Sequence, residues 1–103
     1  MAQVPASRLP AYSYRNISTQ TTTIVKAAPG TILGIWFNAG TSGAVVTIYD
    51  NATAASGTKI GTITLGAAVN TPFTAPTLQN IAFANGLTIV TATQNVDITV
   101  AYA

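Results

Sequence analysis

GLTIVTATQNVDITVAYA, residues 86 to 103, carries the pattern on which the fold turns. Val96, Ile98, Val100 and Tyr102 recur at every second position, with Asp97, Thr99 and Ala101 between them. A period of two marks a strand with one buried face, because successive side chains leave an extended backbone on opposite sides. Leu87 and Ile89 keep the same step around Thr88. Val90 breaks it, as a strand covered on both sides would.

The same rhythm runs upstream. YSYRNIS and TTTIVK read as the first two strands, and Ala28-Pro29-Gly30 as a turn in which Pro fixes φ and Gly accepts a positive one. TILGIWFN is the most apolar run. AGTSG turns the chain into AVVTIYD, and KIGTITL follows the next loop. GAAVNTPFTAPTLQ is less regular, and its two prolines suit an edge strand or a crossing loop. NIAFA precedes the C-terminal pair. Turn signals recur every 8–12 residues or so, the spacing of a sandwich or barrel, and no stretch sustains a period near 3.6 with caps at its ends. The fold class predicted is all-β: about eight antiparallel strands in two packed sheets, without a substantial helix. Residues 13–103 are expected to form this single sandwich domain. Residues 1–12, with Pro5 and Pro10, are expected to be an extended arm. Trp36, in the middle of the apolar run, is expected in the core, which turns Phe37 outward.

Composition removes most chemistry. A chain of 103 residues makes one domain and buries roughly 60–65% of its unfolded surface, enough for a modest core. It has no Cys, no His and no Glu, so Ser–His and Cys–His nucleophiles and thiolate metal sites are excluded. Asp50 and Asp97, the only acids, lie on different strands, and no spacing ties them into an acid–base pair. No ligand loop for calcium is present, and Gly30, Gly34, Gly40 and Gly43 form no phosphate cradle. The expectation is a protein that is not an enzyme, with no cofactor and no metal. Arg8, Arg15, Lys26 and Lys59 give a net charge of +2, too few for the ~6–10 phosphates a duplex binder contacts. No nucleic acid partner is expected. MAQVPASRLP has no apolar signal-peptide core and no run reaches ~18 apolar residues, so synthesis in the cytoplasm without a signal peptide and no membrane span are expected. Asn16–Ser18 and Asn51–Thr53 match the glycosylation acceptor pattern, as chance allows in so Thr-rich a chain.

Only 6% of the residues are charged, against about 25% usually. Weakly charged surfaces associate, which suits a subunit of an assembly; a small domain kept soluble by hydroxyls is the plainer reading. Within TIYDNATAASGTKIGTI, residues 47 to 63, two of the six charges flank one loop. In the simplest register Asp50 faces Lys59, a hairpin pairing worth about 0.2–1 kcal/mol that disfavours slipped registers, and Gly57 supplies a positive φ. A binding loop at the end of the sandwich is the alternative.

The succession YRNI, IVKAAPGTILGI, AGTSG, VTIYDN and ASGTKIGTI, over residues 14 to 65, with an echo in VDITVAYA, resembles small β-sandwich structural proteins of tailed-bacteriophage virions. The resemblance implies a jelly-roll-like head decoration or cement protein, a homotrimer on the surface of the virion head with the major capsid protein as partner. It carries no catalytic or ligand residues. Arg8, Tyr12, Tyr14, Arg15 and Phe37 are the interface candidates, with Tyr49 a further anchor, because Arg forks suit shell carboxylates and aromatics anchor interfaces. The arm with Arg8 either docks on the shell or dangles. The other class is a recognition module, a fibre-associated sandwich binding a host surface glycan, whose mark is an exposed aromatic platform beside polar anchors.

Overall fold

The computed structural model describes residues 12–74 and 79–103. It contains nine strands and, among the described residues, no helix: β1 (Ser13–Ile17), β2 (Thr21–Lys26), β3 (Gly30–Gly40), β4 (Val45–Asp50), β5 (Thr58–Thr64), β6 (Phe73–Thr74), β7 (Ile81–Phe83), β8 (Leu87–Ala92) and β9 (Val96–Tyr102). The predicted two-sheet antiparallel sandwich is the observed fold. One sheet has the order β1-β9-β3-β6, with β7 also on β3; the other has the order β2-β8-β4-β5.

The irregular, proline-bearing stretch contributes the short edge strand β6. β6 pairs with Trp36 and Phe37, and β7 with Gly30 to Ile32, so both lie along the free side of β3 and count as one rung. Counted so, the pairs are β1–β9, β2–β8, β3–β6/β7 and β4–β5, each antiparallel. They nest like the rungs of one long ribbon whose tip is the β4–β5 hairpin. Alternate rungs fall in alternate sheets, and β3–β9 and β4–β8 complete the ladders. That order defines a jelly roll.

The core lies between the sheets. Val96, Ile98 and Val100 from β9 meet Val46 and Ile48 from β4 and Leu87 and Ile89 from β8, with Ile32, Ile35 and Phe37 from β3. In β8, Leu87, Thr88 and Ile89 are all buried, while Val90, which breaks the alternation, is half-buried on the outer face. Thr88 is accommodated because its hydroxyl donates to the Asn51 carbonyl at 2.8 Å. Gly43 and Gly57 take the positive φ values, 91° and 81°, that their turns require.

Two expectations are corrected. Phe37 is 0% exposed and Trp36 is 40% exposed, the reverse of the predicted facing. The cause is a register shift between Ile32 and Gly34. An extra residue there lets Ile32 and then Ile35 and Phe37 all face the core, which sends Trp36 outward opposite Thr99. Asp50 pairs with Thr58, not Lys59, because a second irregularity between Ile48 and Tyr49 moves Lys59 opposite Tyr49. Of the arm, residues 1–11, including Arg8, lie outside the described residues.

Candidate functional site

The outer face of the five-stranded sheet holds a polar cluster built on Asp97 and Thr99. β9 places Asp97 and Thr99 outward, since Val96, Ile98 and Val100 point into the core. β1 sets Asn16 opposite Thr99 on one side, and β3 sets Trp36 opposite Thr99 on the other. A second shift in β3, between Phe37 and Ala39, falls at Asn38. Its Nδ2 donates to Asp97 Oδ1 at 3.3 Å and to Thr99 Oγ1 at 3.0 Å. Asn16 Nδ2 donates to the same Oδ1 at 2.7 Å and to the Ile98 carbonyl at 2.9 Å. Both amides thus aim their hydrogens inward. Their carbonyl oxygens remain as acceptors, and among the described residues Asp97 Oδ2 carries no bond.

Asp97 also forms part of the wall of a depression of about 380 Å³ at this end of the sheet, with Ser18, Thr41 and Asn95 as polar walls and Val69 and Val96 as apolar ones. Tyr14, 74% exposed, stands on the same outer face, across Ala101 from Gly34. By register, Gly34 and Ala101 thus lie between the two aromatics, and the carboxylate–amide cluster lies on the other side of Trp36. Trp36, Asn16 and Asn38 were not among the site candidates read from the sequence. A signal for Trp36 existed: in β3 it shares its parity with Asn38, a poor core residue.

The 47–63 loop is structural in a different way from that expected. The Asp50 carboxylate accepts the backbone N–H groups of Ala84 (2.9 Å), Asn85 (2.8 Å) and Gly86 (3.3 Å), so it ties β4 to the β7–β8 turn. These amides favour the charged form and hold its pKa below the ordinary carboxylate value, Ala84 and Asn85 foremost, against a smaller desolvation effect. Lys59 Nζ lies 6.0 Å from the Tyr49 ring centroid instead. Asn51 closes the loop as an Asx turn: Oδ1 accepts from the Thr53 and Ala54 amides, and Nδ2 donates to the Ser56 carbonyl. Both acceptor-pattern asparagines are therefore engaged in internal hydrogen bonds. Asp50 and Asp97 sit in different sheets.

Of the predicted interface residues, Tyr12 (62% exposed), Tyr14 and Arg15 are exposed at or beside β1, the edge strand. Arg15 lines a cleft of about 340 Å³ between β1 and β2, walled by Ser18, Thr19 and Thr21. Phe37 is buried and offers nothing to a partner. The outer face of the four-stranded sheet reads, by register, Ile24–Thr88–Tyr49–Lys59, then Thr22–Val90–Thr47–Thr62, then Ala92–Val45–Thr64. Lys59, at the margin, is the only charge in these rows. Comparison with protein-family models, with curated proteins and with solved structures finds no match.

Proposed function

We propose that this chain is a non-enzymatic structural subunit of a tailed-phage virion, a homotrimer that binds the major capsid protein on the head and reinforces the shell. The phage setting and the trimer rest on the sequence resemblance. The structural support is the outer face of the four-stranded sheet, Thr-rich with a single marginal charge and with Ile24 exposed. Such a face costs little to desolvate on association, and a rigid sandwich can sum weak lattice contacts by avidity. Antibody labelling of virions, with thermal DNA release measured on particles with and without the protein, tests it. Label on the head and earlier release without the protein support reinforcement. Unlabelled heads, or particles of unchanged stability, overturn it. Sedimentation of a stable monomer at high micromolar concentration overturns the trimer.

One observation favours a second reading. Trp36 is exposed beside Asn16, Asn38 and Asp97, the aromatic-with-anchors arrangement of a module that binds a host surface glycan. Label confined to tail or fibre tips moves this reading ahead.

A further inference from the structure

We infer that the Trp36–Asn38–Asp97 corner of the five-stranded sheet is a binding subsite for a neutral saccharide; this rests on the second reading and gives it a location and a ligand class. Three independent features converge there. The first is an apolar surface. Trp36 is 40% exposed on the outer face, between Thr99 of β9 and Thr74 of β6 by register, neither of them a bulky residue type. The axial C–H groups of a pyranose suit such a ring, which offers a large rigid contact at small entropic cost.

The second feature is a set of acceptors held in place. Asn16 and Asn38 spend both their donors on Asp97, Thr99 and the Ile98 carbonyl. What they leave facing outward is acceptor capacity: two amide oxygens and Asp97 Oδ2. Thr99 Oγ1 already accepts from Asn38, so its own proton is the donor of the cluster. A ligand complementary to this set brings several O–H donors and few acceptors of its own, as the vicinal hydroxyls of a sugar do. Hydrogen bonds to a charged acceptor are the stronger kind. Asp97 and Trp36 are diagonal cross-strand neighbours, Trp36 lying opposite Thr99, which separates them by about 7–8 Å. One sugar ring on the indole therefore brings its hydroxyls to the carboxylate.

The third feature is room beyond the first ring. The depression of about 380 Å³ begins at Asp97 and is walled by Ser18, Thr41 and Asn95, hydroxyl and amide groups suited to a second sugar. The chemistry also sets the charge of the ligand. Asp97 repels uronic and sialic carboxylates. A cation would meet one carboxylate on a chain whose net charge is +2, which leaves a neutral polyol.

The test is an NMR titration of the full chain with maltotriose, cellotriose and chitotriose, and with a uronic-acid trisaccharide as the charged arm. Trp36 is the only Trp, so its indole N–H is a unique reporter. At least one neutral trisaccharide at millimolar concentration is expected to shift that signal together with the side-chain amides of Asn16 and Asn38, and the acidic one to shift them less. Trp36→Ala and Asp97→Asn should each weaken binding about tenfold, the equivalent of about 1.4 kcal/mol. Trp36→Phe should recover part of the loss, and Thr22→Ala on the other sheet should lose nothing. All three positions lie on outer faces, and backbone spectra confirm that the variants are folded. Binding that persists undiminished in both Trp36→Ala and Asp97→Asn overturns this subsite and leaves glycan recognition standing elsewhere on the chain. No shift with any of the saccharides overturns the subsite and the recognition reading together.

Discussion

Trp36 and Phe37 are adjacent aromatics on opposite faces of β3, and truncating each in turn tests the register of the whole sheet. Phe37 is fully buried among Ile35, Ile98 and the other core residues, so Phe37→Ala opens a cavity and should cost about 3–5 kcal/mol. Trp36→Ala removes contact with its outer-face neighbours and leaves no cavity, for about 1–2 kcal/mol. At roughly 4–8 °C per kcal/mol for a domain of this size, Phe37→Ala should melt at least ~12 °C below the parent. Trp36→Ala should melt ~4–16 °C below it, and the order of the two is the decisive quantity. Urea unfolding at low protein concentration, followed by far-UV circular dichroism, gives both free energies. Fluorescence gives a second reading, since Trp36 is the only Trp and iodide should quench it in the native protein. Trp36→Ala costing more than Phe37→Ala, with native Trp36 shielded from iodide, would refute the shift between Ile32 and Gly34 and the outer-face site with it.

The remaining predictions concern turns. Because its three amide partners depress the folded pKa of Asp50, its stabilising contribution is present above the unfolded value of about 3.9 and is lost as pH falls through the lower folded one. Asp50→Asn should therefore flatten the acid limb of the stability profile and Lys59→Gln should not; coincident limbs for wild type and Asp50→Asn in thermal melts would show that the amides do not hold the charge. Gly86→Ala should destabilise by about 1–3 kcal/mol, because a Cβ there would meet Ala52 Cα at 2.6 Å and the Lys26 carbonyl oxygen at 2.7 Å; an unchanged denaturation midpoint would contradict that close approach. Thr93 has φ 73°, and the Gln94 amide donates to the Ala92 carbonyl across it at 2.9 Å, a γ-turn with a β-branched residue in a costly conformation. Thr93→Gly should raise stability by about 1 kcal/mol, the relieved strain less the added entropy of the unfolded Gly; a loss of stability would mean that the turn is not strained.

Strand identity was legible because it is local. Alternation in Val96–Tyr102, the turn residues Gly43 and Gly57, and Pro72 beside the edge strand β6 all act within a few positions of where they stand. The facing of Trp36 and Phe37 was harder, because both parities of GTILGIWFNAG hold large apolar residues: Ile32 and Trp36 on one, Leu33, Ile35 and Phe37 on the other. Pure alternation cannot bury Ile32 with Ile35 and Phe37, and an inserted residue can. Asn38, a misfit for a core on the parity of Trp36, points to the observed facing even with the shift unknown.

The polar contacts were illegible for a different reason. Asp50 and Lys59, opposite charges at the mouth of one loop, invite a local pairing, yet Asp50 spends its oxygens on amides 34 to 36 residues away. Asn16 reaches Asp97 across 81 residues. Each of these contacts exists only because the ribbon is rolled: rolling brings the β7–β8 turn over the end of β4, and lays the first strand beside the last. Charge in this chain is so sparse that a local ion pair would leave three amides of the β7–β8 turn without an acceptor, at a cost greater than the pair is worth. Asp50 thus goes where unsatisfied donors are concentrated. By the same accounting, Asp97 accepts two amides through one oxygen while its other oxygen has no partner among the described residues. In a protein with two carboxylates, one is fully engaged in holding the fold and the other keeps half its capacity outward, next to the exposed indole.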